Sequence, residues 1–249
     1  RRKGRHTVEE KEIIFGRNPV LEYLKSGSDI RGTLFVSDSA HGKIIDVIKD
    51  AARQRKVKIE LAPKEKLAEM KEGSSHQGVI LVIEAGRAAL DEREIIKRAV
   101  SQNGVLVLLD QLTDPHNVGA IIRTAEALGA AGIIIPRSHA PEMGGVVAKT
   151  SAGATAHIPV VVVANAARFL DEAKQAGIWV IGSDDQADTE ISKLSTIRPA
   201  LLVIGSEGEG MRRLTAEKCD HIVKIPLKGK VSSLNASVAA GILLYELLK

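Results

Sequence analysis

Ala200-Leu-Leu-Val-Ile-Gly-Ser-Glu-Gly-Glu-Gly210 runs five apolar residues straight into a glycine-rich turn. An apolar run of that length, bounded by glycine, reads as a strand buried on both faces, and such strands belong to parallel sheets covered by helices. Val105–Leu109, Gly132–Ile135, Ile158–Val162, Ile178–Ile181 and His221–Ile225 read the same way. Helical segments separate most of them, for instance Pro115–Leu128, Ala164–Ala176 and Leu234–Leu248. The alternation predicts an α/β unit with a parallel sheet over residues 104–249. Open sheets of this kind place ligands where strands give way to loops. Gly205, Gly208, Gly210 and Gly229 let backbone come close to something bound there.

Upstream, residues 1–12 (RRKGRHTVEEKE) have no apolar periodicity and are expected to form a disordered lead. Residues 13–84 carry a second, smaller α/β pattern. Helices are predicted at Pro19–Leu24, ending at Gly27, at Lys43–Arg55 and at Pro63–Met70, with strands at Thr33–Val36, Val57–Leu61 and Gly78–Ile83. The charged stretch 85–103, with one short helical segment at most, is the expected linker.

Composition narrows the function. The 249 residues contain no apolar run long enough to span a membrane and no apolar leader, so a cytoplasmic protein is expected. Cys219 has no cysteine partner, and the seven histidines lack metal-ligand spacing, so no metal is expected. Residues 1–100 carry 21 Lys and Arg against 16 Asp and Glu, whereas residues 101–249 carry 14 against 15. A basic first half points to a polyanion partner or, equally on composition alone, to a solvated surface with a small lysine excess. At 2% aromatic content, base stacking is not the natural mode of recognition, which favours contacts to phosphate and ribose or recognition of RNA shape.

Three segments carry chemistry. In Asp114-Pro-His-Asn-Val-Gly-Ala-Ile-Ile-Arg123, Asp114 suits an N-cap and Pro115 the first helical position. Arg123 then sits about two turns in, either exposed, paired with Glu126, or facing a site. Asn117 either satisfies the helix start or faces that site. The glycine turn 205–210 matches neither G-x-x-x-x-G-K-[ST] nor G-x-G-x-x-G. Glu207 within it is a plain surface acid or a carboxylate that orients an arginine or a hydroxyl. In Ile225-Pro-Leu-Lys-Gly-Lys-Val-Ser-Ser-Leu-Asn-Ala-Ser237, Ser232 or Ser233 is the expected helix cap, with Asn235 near a helix start suited to a polar or anionic group. Ala239, Ala240 and Gly241 suit close packing against another element or a second subunit.

In this order, N-x-G-x-x-x-R at 117–123, G-x-E-G-x-G at 205–210 and the segment Ile225–Asn235 resemble the signature motifs of the SpoU/TrmH family, the RNA 2′-O-ribose methyltransferases of the SPOUT superfamily. Ile14-Phe-Gly-Arg-Asn-Pro-Val-Leu-Glu22 resembles the ribosomal-protein-like RNA substrate-binding domain attached to many members. The nearest resemblance is to the subgroup that methylates a guanosine ribose in 23S ribosomal RNA. It implies a C-terminal trefoil knot, with the 225–235 loop passed through an earlier one, an exception to the usual avoidance of threading. It also implies S-adenosyl-L-methionine as cofactor, contacted by Gly205, Ile225 and Leu234, and a catalytic cluster of Asn117, Arg123, Glu207, Ser233 and Asn235. Homodimers are implied, with Arg123 reaching substrate bound mainly by the other subunit. Ala236 stands where Val is usual and Leu227 where Met is frequent, and neither change removes a functional group. Arg17 and the group Arg53, Arg55, Lys56 and Lys58 are expected to contact RNA phosphates. The alternatives are a tRNA ribose methyltransferase and a non-catalytic RNA-binding protein. A Rossmann enzyme is disfavoured, because no glycine follows Val105–Leu109 until Gly119.

Overall fold

Every residue of strand β5 (Val105–Leu109) is buried, yet the strand serves two cores. Val105, Val107 and Leu109 pack with helices α5 (Pro115–Ala127) and α8 (Ala236–Leu248) on one face of the sheet. Leu106 and Leu108 pack with helices α4 (Glu92–Ser101) and α6 (Ala166–Gln175) on the other. Strand β10 (Ala200–Ile204) divides its side chains in the same way. Successive strand residues point to opposite faces, so a sheet covered twice demands apolar side chains at every position.

This computed structural model describes residues 12–26, 30–70, 76–85, 90–139, 147, 150–230 and 233–249. Its chain divides into two units, Arg1–Ala88 and Ala89–Lys249. In the second, β5, β6 (Gly132–Pro136), β7 (Val160–Val163), β8 (Trp179–Ser183), β9 (Thr189–Glu190), β10 and β11 (His221–Lys224) form one sheet in the order β7-β6-β5-β10-β8-β11-β9. Each neighbouring pair is parallel. The carboxyl ends of β5, β10 and β11 therefore share one edge, and the three motif segments leave the sheet there.

The expected linker requires a correction. Residues 92–101 form α4, whose N-cap Asp91 accepts from the N–H groups of Arg93 and Glu94 while the Glu94 carboxylate accepts from Asp91 N–H. That capping box fixes the helix start. Ile95, Ile96 and Ala99 are buried against the sheet, so the helix belongs to the second unit. Its charges cover the outer face of an amphipathic helix, which made the stretch look like a tether.

In the first unit β1 (Glu12–Phe15), β2 (Arg31–Ser37), β3 (Lys58–Ala62) and β4 (Val79–Ala85) form a sheet ordered β1-β4-β2-β3. β4 runs antiparallel to both neighbours, and β2 is parallel to β3. Helices α1 (Arg17–Lys25), α2 (Lys43–Gln54) and α3 (Lys64–Met70) complete it. Phe15, Ala62, Leu67 and Ile80 form part of its core. Strand β1 went unread because Ile13, Ile14 and Phe15 are too few to show a period. Residues 1–11 of the lead and Gly27 lie outside the described residues.

Candidate active site at the strand ends

The glycine turn is built before it is decorated. Beyond β10, Ser206 and Gly210 exchange two backbone hydrogen bonds of 3.0 Å each. A Cβ at Gly205 would stand 2.2 Å from the Gly210 carbonyl carbon, so this glycine is required by the hairpin's own backbone. Gly208 and Gly210 have φ of +86° and +67°, a conformation that only glycine adopts without strain.

An ion pair with a fully buried carboxylate pins this hairpin, just ahead of the short helix α7 (Arg213–Ala216), to the end of β5. Asp110, fully buried, accepts from the backbone N–H of Arg212 at 2.9 Å and from its Nε at 2.8 Å, with Nη2 at 2.5 Å. Asp110 N–H donates to the Ile204 carbonyl at 2.8 Å. A buried carboxylate is tolerated only when paired and hydrogen-bonded in this manner.

Glu207 at the hairpin tip draws two other segments together. Its Oε1 accepts from Asn117 Nδ2 at 3.1 Å, Asn235 Nδ2 at 2.6 Å and Ala236 N–H at 3.1 Å. Asn235 Nδ2 also donates to Asn117 Oδ1 at 3.0 Å. The carboxylate lies against the first turn of α8, where the helix dipole favours negative charge. Asn235 Oδ1 accepts from the N–H groups of Ser237 and Val238 and from Ser237 Oγ, so Asn235 is the helix cap. The expected cap was Ser232 or Ser233. Ser232 lies outside the described residues, and Ser233 precedes the helix by three positions, exposed and without a hydrogen bond to the described residues.

Asp114 caps α5 as expected, accepting from His116 N–H at 2.9 Å. Arg123 follows Asn117 by six residues, about 9 Å along the axis and about 120° around it, so the two occupy different faces of α5. Arg123 is exposed and makes no hydrogen bond or ion pair with the described residues, Glu126 included. Three of the five expected cluster residues thus meet, while Arg123 and Ser233 stand apart.

Ile225 and Leu234 are half-buried at the two ends of the segment between β11 and α8. Residues 225–230, 233 and 234 make no backbone hydrogen bond to the described residues. Free N–H and C=O groups flanked by apolar side chains, beside the Glu207 hairpin, suit a nucleoside with a polar amino-acid end. S-adenosylmethionine fits this segment on those grounds.

Several contributors escaped the sequence reading. Asp110 and Arg212 lie 102 positions apart, and only the fold pairs them. Gly119 is a packing residue, because a Cβ there would stand 1.9 Å from Thr150 Oγ1, which donates to the Pro115 carbonyl at 3.1 Å. A visible signal did exist for Asp110, a lone acid directly after five apolar residues. Burial pushes the Cys219 thiol up to about 12, which excludes it as a thiolate nucleophile near neutrality.

Comparison with known proteins adds an independent line. Residues 104–245 match the SpoU rRNA Methylase family, and residues 13–89 match the domain family described as RNA 2′-O ribose methyltransferase substrate binding. YacO of Bacillus subtilis, named for the TrmH family of tRNA/rRNA methyltransferases, is 42% identical over 242 residues, covering 97% of this chain and 96% of YacO. The crystal structure of the SpoU methyltransferase AviRb from Streptomyces viridochromogenes, in complex with the cofactor AdoMet, superposes with a TM-score of 0.80. It is 29% identical and covers 96% of this chain and 89% of that one. An AdoMet-bound rRNA methyltransferase from Sinorhizobium meliloti, 23% identical with a TM-score of 0.77, shares the fold over 95% of this chain and 86% of its own.

Proposed function

The chain belongs to the SpoU rRNA methylase family and is an S-adenosylmethionine-dependent RNA methyltransferase, and on that premise we propose that its acceptor is a ribose 2′-hydroxyl of a guanosine in 23S ribosomal RNA. The observation that carries this reading is the convergence of Asn117, Glu207 and Asn235 at the strand ends. The match of the first unit to a substrate-binding domain of ribose methyltransferases supports it.

S-adenosylmethionine supplies the methyl group, and the protein's task is to align the hydroxyl oxygen with it and remove the proton. Gly205, Ile225 and Leu234 are assigned to cofactor contact, Asn117, Asn235 and Ser233 to holding ribose and cofactor, and Arg123 to the acceptor hydroxyl. Glu207 acts through Asn117 and Asn235, which makes it a positioning residue. A guanidinium holds its proton tightly. Arg123 therefore either lowers the hydroxyl pKa electrostatically while phosphate or water takes the proton, or clamps the target phosphate and accepts the proton in passing.

Arg123 completes a site shared between two copies in this reading. Val238, Ile242 and Tyr245 leave an exposed apolar stripe on α8, which supports the homodimer. The trefoil knot is part of the same proposal, supported by a strand order that inserts β10 between β5 and β8. Transfer RNA is the alternative acceptor, since YacO is named for both RNA classes. Incubation with labelled S-adenosylmethionine and separated RNA pools, followed by mapping of the product, tests the assignment. Label on a 23S guanosine ribose is expected, and label confined to transfer RNA overturns the substrate while keeping the chemistry.

A further inference from the structure

An open concavity lies in the first unit. It has a volume of about 790 Å³, and its lining includes Arg17, Asn18, Ser39, Lys64 and His76. Among the described residues no carboxylate lines it, and the fixed charges they present, Arg17 and Lys64, are both positive.

Its donors are held in place by a strained turn. Gln77 has φ of +52°, rare for a residue with a side chain. From that turn its Oε1 accepts from Arg17 N–H at 3.0 Å, and its carbonyl accepts from Arg17 Nε at 3.1 Å. The guanidinium is thereby fixed through Nε, and both Nη groups lack a partner among the described residues. His76 is only 7% exposed, and its Nδ1 accepts from Gly78 N–H at 3.1 Å. A neutral imidazole that accepts through Nδ1 must carry its proton on Nε2. Burial, then the nearby Lys64 charge, holds the His76 pKa below its ordinary value, which keeps the ring in that neutral form. Nε2 has no hydrogen-bond partner among the described residues, and His76 is one of the residues that line the concavity. Helix α1 begins here at Gly16: Gly16 N–H bonds to the Val79 carbonyl, Arg17 N–H to Gln77 Oε1 and Pro19 has none, so Asn18 N–H is left without a partner among the described residues.

The basic group first expected to meet RNA is differently placed in the bond network. Arg53 pairs with Asp50 at 2.7 Å and Lys58 with Glu60 at 2.6 Å. Arg55 donates to the carbonyls of Leu24 and Lys25, where it closes the end of α1. Arg53, Arg55 and Lys58 are already engaged, whereas Lys56 is exposed and has no partner among the described residues.

We propose that the concavity of the first unit binds one backbone phosphate of the RNA together with its attached nucleoside, with Arg17 and Lys64 on the phosphate and His76 Nε2 donating to a phosphate or ribose oxygen. The proposal rests on the RNA methyltransferase reading and adds to it the point at which the first unit holds its substrate.

The test is RNA binding by the full chain across a salt series, with ribosomal RNA fragments as probe. Lys64 is exposed and unbonded to the described residues, so Lys64→Ala leaves the fold intact. It is expected to weaken binding roughly tenfold at moderate salt and to reduce the slope of log K against log salt by about one. Arg17→Ala is expected to do the same, and His76→Gln to weaken binding without changing the slope. Arg53→Ala, the comparison on the engaged group, is expected to change affinity less than about twofold. Unchanged affinity and slope in both Lys64→Ala and Arg17→Ala would overturn the proposal. Binding is read without methyl transfer, so label found on a base instead of a ribose would sink the acceptor assignment and leave this one standing.

Discussion

The two units treat their polar groups in opposite ways. At the strand ends of the second unit, Asn117, Glu207 and Asn235 are engaged on one another and on the α8 backbone. In the concavity of the first unit, the Arg17 Nη groups, Lys64 and His76 Nε2 have no acceptor among the described residues. A closed network fixes the loops that carry it, whereas an open set of donors is completed only by an anion. Arg123 stands apart from that network, exposed and unpaired among the described residues, and its proposed role comes from its place in the N-x-G-x-x-x-R motif.

The largest effect is expected where the closed network is anchored. Asp110→Ala removes the fully buried acceptor of the Arg212 N–H groups and should destabilise the second unit by about 3 kcal/mol, measured by denaturant unfolding. Stability within about 1 kcal/mol of wild type would mean that the hairpin is held by its glycines alone. Next, Arg123→Ala should reduce methyl transfer by at least ~10²-fold, while cofactor binding, read by calorimetry, is retained. Loss of cofactor binding instead would make Arg123 part of the closed network.

Smaller still, Glu207→Ala removes the acceptor of three N–H groups. A cost of about 1–2 kcal/mol should appear in cofactor affinity. Glu207→Gln, whose amide oxygen accepts the same bonds, should restore most of it. The smallest effect concerns pH and the first unit. His76 has a depressed pKa when folded, so below its ordinary value of 6.5 the unfolded chain binds a proton that the folded chain refuses. Stability is therefore full above that pH and falls as pH drops through it, and His76→Gln should flatten the slope.

Strand and helix in the second unit were legible because burial on both faces leaves continuous Val, Ile and Leu runs, as at Val105–Leu109 and Ala200–Ile204. Helix α4 was legible only as a short helical segment and not as a cover of that sheet, since one apolar stripe among charges reads as a tether until the sheet it packs on is known. The three motif segments could be found by order and spacing, and Asn117, Glu207 and Asn235 do meet. Their roles differ from those that local chemistry suggested. Asn235 took the capping role expected of a serine because its side chain reaches the N–H groups of Ser237 and Val238. The Asp110–Arg212 pair and the donors around His76 depend on contacts between residues far apart in the chain, which no local pattern records.

The central claim is that this chain methylates ribose. The most direct measurement gives the purified protein labelled S-adenosylmethionine and two RNA fragments that differ only in a 2′-deoxy substitution at the mapped target nucleotide. Label on the ribose fragment and none on the deoxy fragment is the predicted result. Equal label on both would place the methyl group on the base and contradict the account.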